Sequence, residues 1–322
     1  MPTAETALER LRAVPRLTVS ENAPLSRYTR FGIGGPARLL AETSDEDAFM
    51  QAIRVARDRE LPLVVIGGGT NLVVSDEGFD GVVLRFTGRR IAGEGAVVEA
   101  GAGACLQELV DFTVSRGLAG VETLTGIPGT VGAAVYGNAG AYGHSISERV
   151  RTVRFFDGAG PREADGAQCQ FDYRESVFKR RKDWVIFSVK LELEPADPEA
   201  LRETAQAIRQ IRDRKFPPTM KCAGSVFKNL QLAGLPPEVA RDVPADKIKG
   251  GKVPAAHFLE QAGAKGMRNG DIQVAGYHAN LIFNHGGGTA TQLRGLITAL
   301  KAKVRAEFGI ELEEEVQYVG RF

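Results

Sequence analysis

The stretch that decides the fold is Thr125 to Gly143, TGIPGTVGAAVYGNAGAYG. Glycine recurs through it, and most of its other residues are small or β-branched. Side-chain packing cannot hold such a run in place. It makes sense where the backbone must approach another group closely, because glycine lacks a Cβ and takes positive φ readily. Residues 129–132 could open a short helix whose free N–H groups would face an anion. The stretch predicts a binding loop, with a tight turn in a glycine-rich fold as the alternative.

A second glycine-rich loop, GGGTN at residues 67–71, follows the apolar strand Leu63 to Ile66. Together the two loops predict a ligand with a diphosphate lying between them. The second loop is not a P-loop, because no Gly-Lys-Ser/Thr follows it. It is not a good dinucleotide fingerprint either, because Leu72 stands where the third glycine is expected. The sequence therefore favours a nucleotide cofactor on another fold, and flavin-binding α+β folds become prominent.

Composition bounds the class of protein. The 322 residues are 43% hydrophobic and 25% charged, as in an ordinary globular protein, with a formal net charge of +1. This balance gives no global field for nucleic acid or a membrane surface, and the basic run 179–182 is interpreted as a solvated loop face. The 3 cysteines are far apart and fit a reduced, cytoplasmic protein. No apolar stretch is long enough to span a bilayer, and the 4 histidines show no metal-ligand spacing with the cysteines.

Periodicity and capping residues predict the secondary structure. The predicted helices cover residues 3–14, 44–59, 104–116, 198–214, 255–262 and 290–308. The second has a capping-box-like start at Ser44 and Asp47. The fourth has Asp197 as its N-cap, and its apolar stripe is Leu201, Ala205, Ile208 and Ile211. The predicted strands cover 37–41, 61–66, 81–86, 96–100, 150–156, 185–193, 279–284 and 310–319. Residues 236–254 receive no role. The pattern indicates an α+β protein with a separate C-terminal lobe.

Five motifs, taken in order, carry a resemblance to a known family. They are VIGGGTNLVVSDEGFDG, TGIPGTVGAAVYGNAGAYG, DYRESVFK, AGSVFKN and FGIELEEEV. In this order the chain resembles the UDP-N-acetylenolpyruvoylglucosamine reductases from about Tyr28 to Gly320. The resemblance implies an FAD-binding domain of the vanillyl-alcohol-oxidase type in two parts, followed by an α+β substrate lobe. The implied divisions are an extension at 1–21, FAD-binding subdomains at 22–88 and 89–214, and a substrate-binding domain at 215–322.

The resemblance also implies the cofactor residues. Gly67, Gly68, Gly69, Thr70 and Asn71 would hold the FAD diphosphate through backbone N–H groups. Gly126, Ile127, Pro128 and Gly129 would approach it from the other side, and Asn138, Ala139 and Gly140 would line the same cofactor. NADPH is the implied hydride donor, and no metal is implied.

Three residues match the catalytic positions of the family. Arg174, in the motif DYRES, would stabilise the developing enolate with a permanently charged fork. Ser225, in AGSVFKN, would donate the proton. Glu315, in the final strand, would help polarise the carboxylate. Without the motifs, Arg174 would be interpreted as a surface residue and Ser225 as a turn serine.

The glutamate assignment depends on the resemblance. Strand alternation puts Ile310, Leu312, Val316 and Tyr318 on one face and Glu311, Glu313, Glu315 and Gln317 on the other. That polar face could simply be solvated. Glu313 is the alternative to Glu315. Glu314 falls on the apolar face, for which the sequence offers no explanation.

For the UDP-sugar, Asn229 matches a substrate-binding position of the family, and Lys215 fits a diphosphate-binding lysine if a small gap is allowed. Tyr173 is expected near flavin or substrate. His278 is a substrate residue or a satisfied polar residue at a strand start. The short interval between Arg174 and Ser225 resembles the second subtype of the family, which lacks the inserted tyrosine lid.

The resulting hypothesis is NADPH-dependent, FAD-mediated reduction of UDP-N-acetylglucosamine enolpyruvate for peptidoglycan precursors, by a cytoplasmic monomer without nucleic-acid partners or membrane insertion. The alternatives are a carbohydrate or hydroxy-acid oxidase on the same cofactor fold and a non-catalytic flavin- or nucleotide-binding module. The motifs around Ser225 and Glu315 argue against the first, and the presence of all three catalytic residues argues against the second.

Overall fold

The chain forms two units in the computed structural model, which describes residues 6–322. Unit 1 comprises residues 6–23, 37–68 and 80–218, and unit 2 comprises residues 24–36, 69–79 and 219–322. Each unit has its own buried apolar core. Within the described residues, no helix is long and apolar enough to cross a membrane.

The elements alternate along the chain as in a mixed α and β protein. The helices are α1 Ala7–Arg12, α2 Glu46–Asp58, α3 Leu106–Ser115, α4 Val131–Tyr136, α5 Val177–Arg180, α6 Pro198–Lys215, α7 Pro237–Asp242, α8 Ala255–Gln261 and α9 Ala290–Phe308. The strands are β1 Thr18–Pro24, β2 Pro36–Thr43, β3 Leu63–Ile66, β4 Leu72–Val74, β5 Phe79–Phe86, β6 Ile91–Glu94, β7 Val97–Gly101, β8 Leu118–Ala119, β9 Gly140–Ala141, β10 His144–Ser145, β11 Val150–Phe156, β12 Pro161–Asp165, β13 Val185–Glu192, β14 Glu194–Pro195, β15 Lys221–Ser225, β16 Leu230–Gln231, β17 Lys252–Val253, β18 Arg268–Asn269, β19 Ile272–Ala275, β20 His278–Asn284 and β21 Gln317–Val319.

Unit 1 contains two larger sheets besides the two-stranded pairs β9-β10 and β8-β14. The first has the strand order β1-β2-β5-β3, with β3 and β5 parallel. Its edge strand β3 leads directly into the GGGTN loop. The apolar face of α2 belongs to this core, where the Phe49 and Phe187 rings meet edge to face at 5.8 Å. The second sheet has the order β12-β11-β13-β7-β6, with every neighbouring pair antiparallel. Buried residues of α3, α4 and α6 share its core.

Unit 2 is built on the antiparallel sheet β15-β20-β19-β18, and buried residues of α8 and α9 complete its core. A separate parallel pair joins β21 to β4. Helix α9 is capped twice at its start: Thr289 forms a capping box with Gln292, and the Asp76 carboxylate accepts hydrogen bonds from the N–H groups of Ala290 and Thr291. It ends at Gly309, whose φ of 66° lies in the left-handed region.

Two helix predictions need correction. The N-cap of α2 is Asp45 rather than Ser44, because the Asp45 carboxylate accepts the Ala48 N–H at 2.9 Å. In α6 the predicted N-cap Asp197 is confirmed, but Ile211 of its predicted apolar stripe is 46% exposed. The predicted leading helix appears as α1, and its residues 3–5 lie outside the described part of the chain.

The predicted strand 310–319 is wrong in length. Only Gln317–Val319 forms a strand, and Glu314 makes an isolated antiparallel bridge to Phe227. Because the pleat is interrupted, the predicted alternation fails at Tyr318, which is 36% exposed. Glu314 lies half-buried where its carboxylate pairs with Lys301 at 2.9 Å and contacts the Tyr318 hydroxyl. These two partners explain a glutamate at a position where the period predicted an apolar residue.

Candidate active site

The two glycine-rich loops lie against each other within unit 1. A Cβ on Gly68 would lie 3.3 Å from the Cα of Gly129, and one on Gly67 would lie 2.9 Å from Thr130 Oγ1. Gly126 and Gly129 have φ values of 74° and 126°, which L residues rarely adopt. The closeness therefore depends on glycine at these positions. Within this loop the N–H groups of Gly126 and Ile127 donate to Gln107 Oε1 and Leu124 O at 2.8 and 3.0 Å.

The short helix that follows the loop does not present the free N–H groups that the sequence analysis expected. Helix α4 does begin after Thr130, which is its N-cap. However, the N–H groups of Val131 and Gly132 donate to the carbonyls of Ala104 and Ala102 at 2.9 Å each, and the Ala133 N–H donates to Thr130 Oγ1. The turn before α3 therefore satisfies the first two of these donors and the Thr130 hydroxyl satisfies the third.

The remaining part of the GGGTN loop belongs to unit 2. Gly69 has a φ of 64°, and a Cβ there would overlap the Tyr28 carbonyl oxygen. Its own carbonyl accepts the Arg30 N–H at 3.1 Å. The Asn71 side chain donates to the Glu315 carbonyl at 2.9 Å, and the Asn71 carbonyl accepts the Gln317 N–H at 2.9 Å. Asn71 therefore connects this loop to the backbone of the C-terminal segment.

Arg174 is held against the glycine-rich stretch of unit 1. Its guanidinium donates to the carbonyls of Gly140 and Asn138 at 3.0 and 3.5 Å, and lies 5.2 Å from the Tyr173 ring centroid. The Asn138 amide in turn donates to Asp172 O at 2.9 Å. Arg174 and Asn138 both have positive φ, 59° and 42°. Such strain in residues other than glycine persists only where surrounding structure enforces it, and it is frequent at functional sites.

The basic run beside Arg174 is less solvated than predicted. Lys179 lies in α5 with only 13% of its side chain exposed, and it pairs with Glu175 at 2.9 Å. Its ammonium also donates to Arg174 O at 2.8 Å. Lys179 therefore supports the Arg174 loop from behind, while the next three residues of the run are exposed as expected.

Unit 2 brings the segments of Ser225 and Glu315 together. The Glu315 N–H donates to Val226 O at 2.7 Å, and the Lys228 N–H donates to Glu313 O at 2.9 Å. The residue after Ser225 is thus hydrogen-bonded to Glu315 itself. Ser225 and Glu315 are both partly exposed. A partly exposed hydroxyl and carboxyl on paired segments are suited to act on one bound molecule.

The other acidic residues of the C-terminal cluster form ion pairs. Glu313 pairs with Lys228 at 2.6 Å, Glu314 with Lys301, and Glu311 with Arg305, each at 2.9 Å. Glu313, which the sequence left open as the alternative to Glu315, and its neighbour Glu314 therefore each have a lysine as an ion-pair partner.

Asn280 is a residue that the sequence analysis missed. Its buried amide accepts the N–H groups of Val226 and Phe227 at 3.1 and 2.8 Å and donates to Phe227 O at 2.8 Å. The available signal was an amide inside an otherwise apolar strand, Ala279 to Phe283. Such an amide needs hydrogen-bond partners, since burying it unpaired costs about 1–3 kcal/mol.

The predicted substrate residues have different surroundings. Lys215, at the end of α6, has its ammonium 5.2 Å from the Phe216 ring centroid. Burial, with a smaller contribution from the charge of Arg212, holds its pKa below the ordinary lysine value. Asn229 is exposed. His278 begins β20 and accepts the Asn280 N–H through Nδ1 at 3.2 Å, so its ring is tied to the strand start.

The cofactor loop residues Ile127 and Ala139 pack on the core of the second sheet of unit 1, and the Ile127 N–H donates to Leu124 O at 3.0 Å. Thr70 and Pro128 lie in the same two loops and are partly exposed. Apolar contacts therefore anchor the 126–129 loop and the residues at 138–140.

Comparison with known proteins identifies the two regions. Residues 37–162 match the model of an FAD binding domain, and residues 216–319 match the C-terminal domain of UDP-N-acetylenolpyruvoylglucosamine reductase. The UDP-N-acetylenolpyruvoylglucosamine reductase of Solibacter usitatus is 62% identical over 97% of this chain and its own full length. That of Rubrobacter xylanophilus is 40% identical over 92% of this chain and 94% of its own.

A solved structure agrees with both matches. The reductase MurB from Thermus caldophilus superposes with a TM-score of 0.74 and 28% identity, covering 95% of this chain and 99% of that one. The predicted α+β class, with an FAD-binding region and a C-terminal lobe, is thereby confirmed. Because the likeness extends over nearly the whole of both chains, the protein belongs to the UDP-N-acetylenolpyruvoylglucosamine reductase family of FAD-dependent oxidoreductases.

Proposed function

We propose that the chain reduces UDP-N-acetylglucosamine enolpyruvate to UDP-N-acetylmuramate, with NADPH as the hydride donor. The observation that carries the proposal is the pairing of the Ser225 and Glu315 segments in a chain that is 62% identical to a reductase of this family. The product is a peptidoglycan precursor. The protein is proposed to act as a cytoplasmic monomer of the second subtype, with the division into segments 1–21, 22–88, 89–214 and 215–322 inferred from the sequence.

The glycine-rich loops fit the diphosphate of FAD. We assign the cofactor to Gly67–Asn71, Gly126–Gly129 and Asn138–Gly140, of which Gly69, Gly126 and Gly129 have φ values that favour glycine. Bound FAD would supply hydride transfer, taking a hydride from NADPH and passing it to the enolpyruvyl double bond.

Residues of the chain stabilise the negative charge that develops on the substrate and supply the proton. Hydride addition to the terminal carbon of the double bond leaves negative charge spread over the adjacent carbon and the carboxylate. Arg174 is assigned to stabilise that charge, and its carbonyl contacts on Gly140 and Asn138 fix its fork in advance. Glu315 is assigned to polarise the carboxylate. Ser225 donates its hydroxyl proton to the adjacent carbon and regains a proton from solvent. Serine is a weak acid, and it suffices here because the acceptor is a strongly basic carbon.

Substrate binding is assigned to four further residues. Lys215 would hold the diphosphate of the UDP-sugar, and Asn229 would hydrogen-bond the sugar nucleotide. Tyr173, whose ring lies beside the Arg174 guanidinium, would shield the reacting groups. His278 is assigned to the substrate as well, and its Nδ1 accepts a backbone N–H of its own strand.

Stopped-flow measurement of the two half-reactions tests these roles. We expect Ser225→Ala and Glu315→Gln to keep FAD and its reduction by NADPH within about twofold, but to slow reoxidation by the enolpyruvyl sugar by roughly 10²- to 10⁴-fold. Glu313→Gln is the matched control, since Glu313 already pairs with Lys228. Full activity of Glu315→Gln together with loss of activity in Glu313→Gln would mean that the wrong glutamate has been assigned.

A further inference from the structure

The segment that carries Ser225 is irregular on both sides. Gly224 has a φ of 76°, and the register of β15 on β20 shifts between Cys222 and Ser225. A regular strand ladder therefore does not fix the direction of the Ser225 side chain from the preceding residues. Contacts of the residues that follow Ser225 must therefore fix the direction of its side chain.

The Asn280 amide is placed to do this. Besides the three side-chain bonds to Val226 and Phe227, the Asn280 carbonyl accepts the Val226 N–H at 3.1 Å. Asn280 is only 2% exposed, so its amide has no competing hydrogen bonds from bulk water. One buried residue thus fixes both peptide groups that directly follow Ser225, on the strand that pairs with Ser225 through Leu281.

We propose that Asn280 is the positioning residue for Ser225: its amide fixes residues 226 and 227 and thereby aims the Ser225 hydroxyl at the substrate carbon. The inference rests on the proposed role of Ser225 as the proton donor. It assigns a function to a buried amide whose side-chain hydrogen bonds go to the backbone of Val226 and Phe227. A hydroxyl displaced by about 1 Å can lose about 10²-fold in rate.

The chain offers a matched control four residues along the same strand. Asn284 is 4% exposed, and its amide also accepts two backbone N–H groups, from Gly286 and Gly288, at 2.8 and 2.9 Å. It also donates to one carbonyl, that of Phe31, at 2.9 Å. The two amides are therefore equivalent in burial and bonding, but only the Asn280 amide bonds the two residues that follow Ser225; Asn284 pairs with Lys221 at the far end of β15.

The experiment compares Asn280→Asp with Asn284→Asp in the FAD-loaded enzyme. Each change removes one donated hydrogen bond and adds a buried carboxyl. We expect Asn280→Asp to slow reoxidation by the enolpyruvyl sugar by about 10- to 100-fold and to leave flavin reduction by NADPH within about twofold. Asn284→Asp should leave both rates within about twofold at a similar loss of thermal stability. Equal slowing in the two variants, or none in either, would overturn the proposal.

A double-variant cycle separates positioning from general damage. In the Ser225→Ala background there is no hydroxyl to aim, so Asn280→Asp should slow reoxidation by less than about twofold further. Slowing by the same factor as in the wild-type background would overturn the proposal. If Asn280→Asp does not fold, Asn280→Ser, which keeps one donor and an acceptor, undergoes the same cycle. A wild-type enzyme whose flavin is not reoxidised by the sugar would instead contradict the proposed function on which the inference rests.

Discussion

Substituting Gly69 by alanine tests whether backbone geometry builds the cofactor loop. Gly69 has a φ of 64°, and an added Cβ would overlap the carbonyl oxygen of Tyr28. The left-handed conformation alone costs an L residue about 1 kcal/mol. Relief of the overlap requires the loop or the Tyr28 peptide to move, for which overpacking costs of about 1–3 kcal/mol are typical. The movement also strains the hydrogen bond from the Arg30 N–H to Gly69 O.

Gly143→Ala is the matched control for this change. Gly143 also has a left-handed φ, 88°, but a Cβ there would meet nothing within 4 Å. The control therefore carries the conformational cost of about 1 kcal/mol without the overlap. The difference between the two variants isolates the steric contribution, about 1–3 kcal/mol.

The assay is fluorescence titration of each apoprotein with FAD. If the shift displaces the diphosphate loop, about 1–3 kcal/mol corresponds to a Kd raised by about 5- to 150-fold in Gly69→Ala. Gly143→Ala should bind FAD within about threefold of the wild type. Equal FAD affinity in the two variants would refute the argument that the backbone at Gly69 shapes the site.

Three further predictions concern charge and capping. The lowered pKa of Lys215 means that its ammonium loses its charge at a lower pH than an ordinary lysine does. In a KM–pH profile, KM for the UDP-sugar should therefore begin to rise below the pH range in which lysines usually titrate. Lys215→Arg should move that rise to higher pH. Asp76→Ala removes the carboxylate that caps α9 and should destabilise the protein by about 1–2 kcal/mol in urea denaturation; unchanged stability would contradict the capping role. Arg174→Lys keeps the charge but loses the fork that contacts Gly140 and Asn138, so reoxidation by the sugar should slow at least about tenfold, and a rate equal to wild type would argue against planar recognition.

Local rules predicted much of the fold. Asp197 with Pro198 located the start of α6, and helix α9 and strand β11 have the predicted bounds. In α9 the apolar period holds along the helix, and Gly309 ends it in the left-handed conformation. The prediction failed at 310–319, where partners distant in sequence, Phe227 and Lys301, decide the conformation. A residue period cannot report such partners.

In the candidate site, too, local features could be predicted from the sequence and contacts between distant residues could not. The glycine content of both loops predicted close backbone approach, and Gly68 does lie against Gly129. The expected free N–H groups of α4 were wrong because the carbonyls of Ala102 and Ala104, some thirty residues earlier, accept two of them. The role of Asn280 was equally invisible, since its partners follow Ser225 more than fifty positions away.

The central claim is tested most directly by an anaerobic spectrum of the FAD-loaded protein during two additions. We expect the flavin absorbance to bleach with NADPH and to return on addition of UDP-N-acetylglucosamine enolpyruvate without oxygen. A bleached protein that regains its colour only when air is admitted would contradict the account and favour an oxidase on the same cofactor fold.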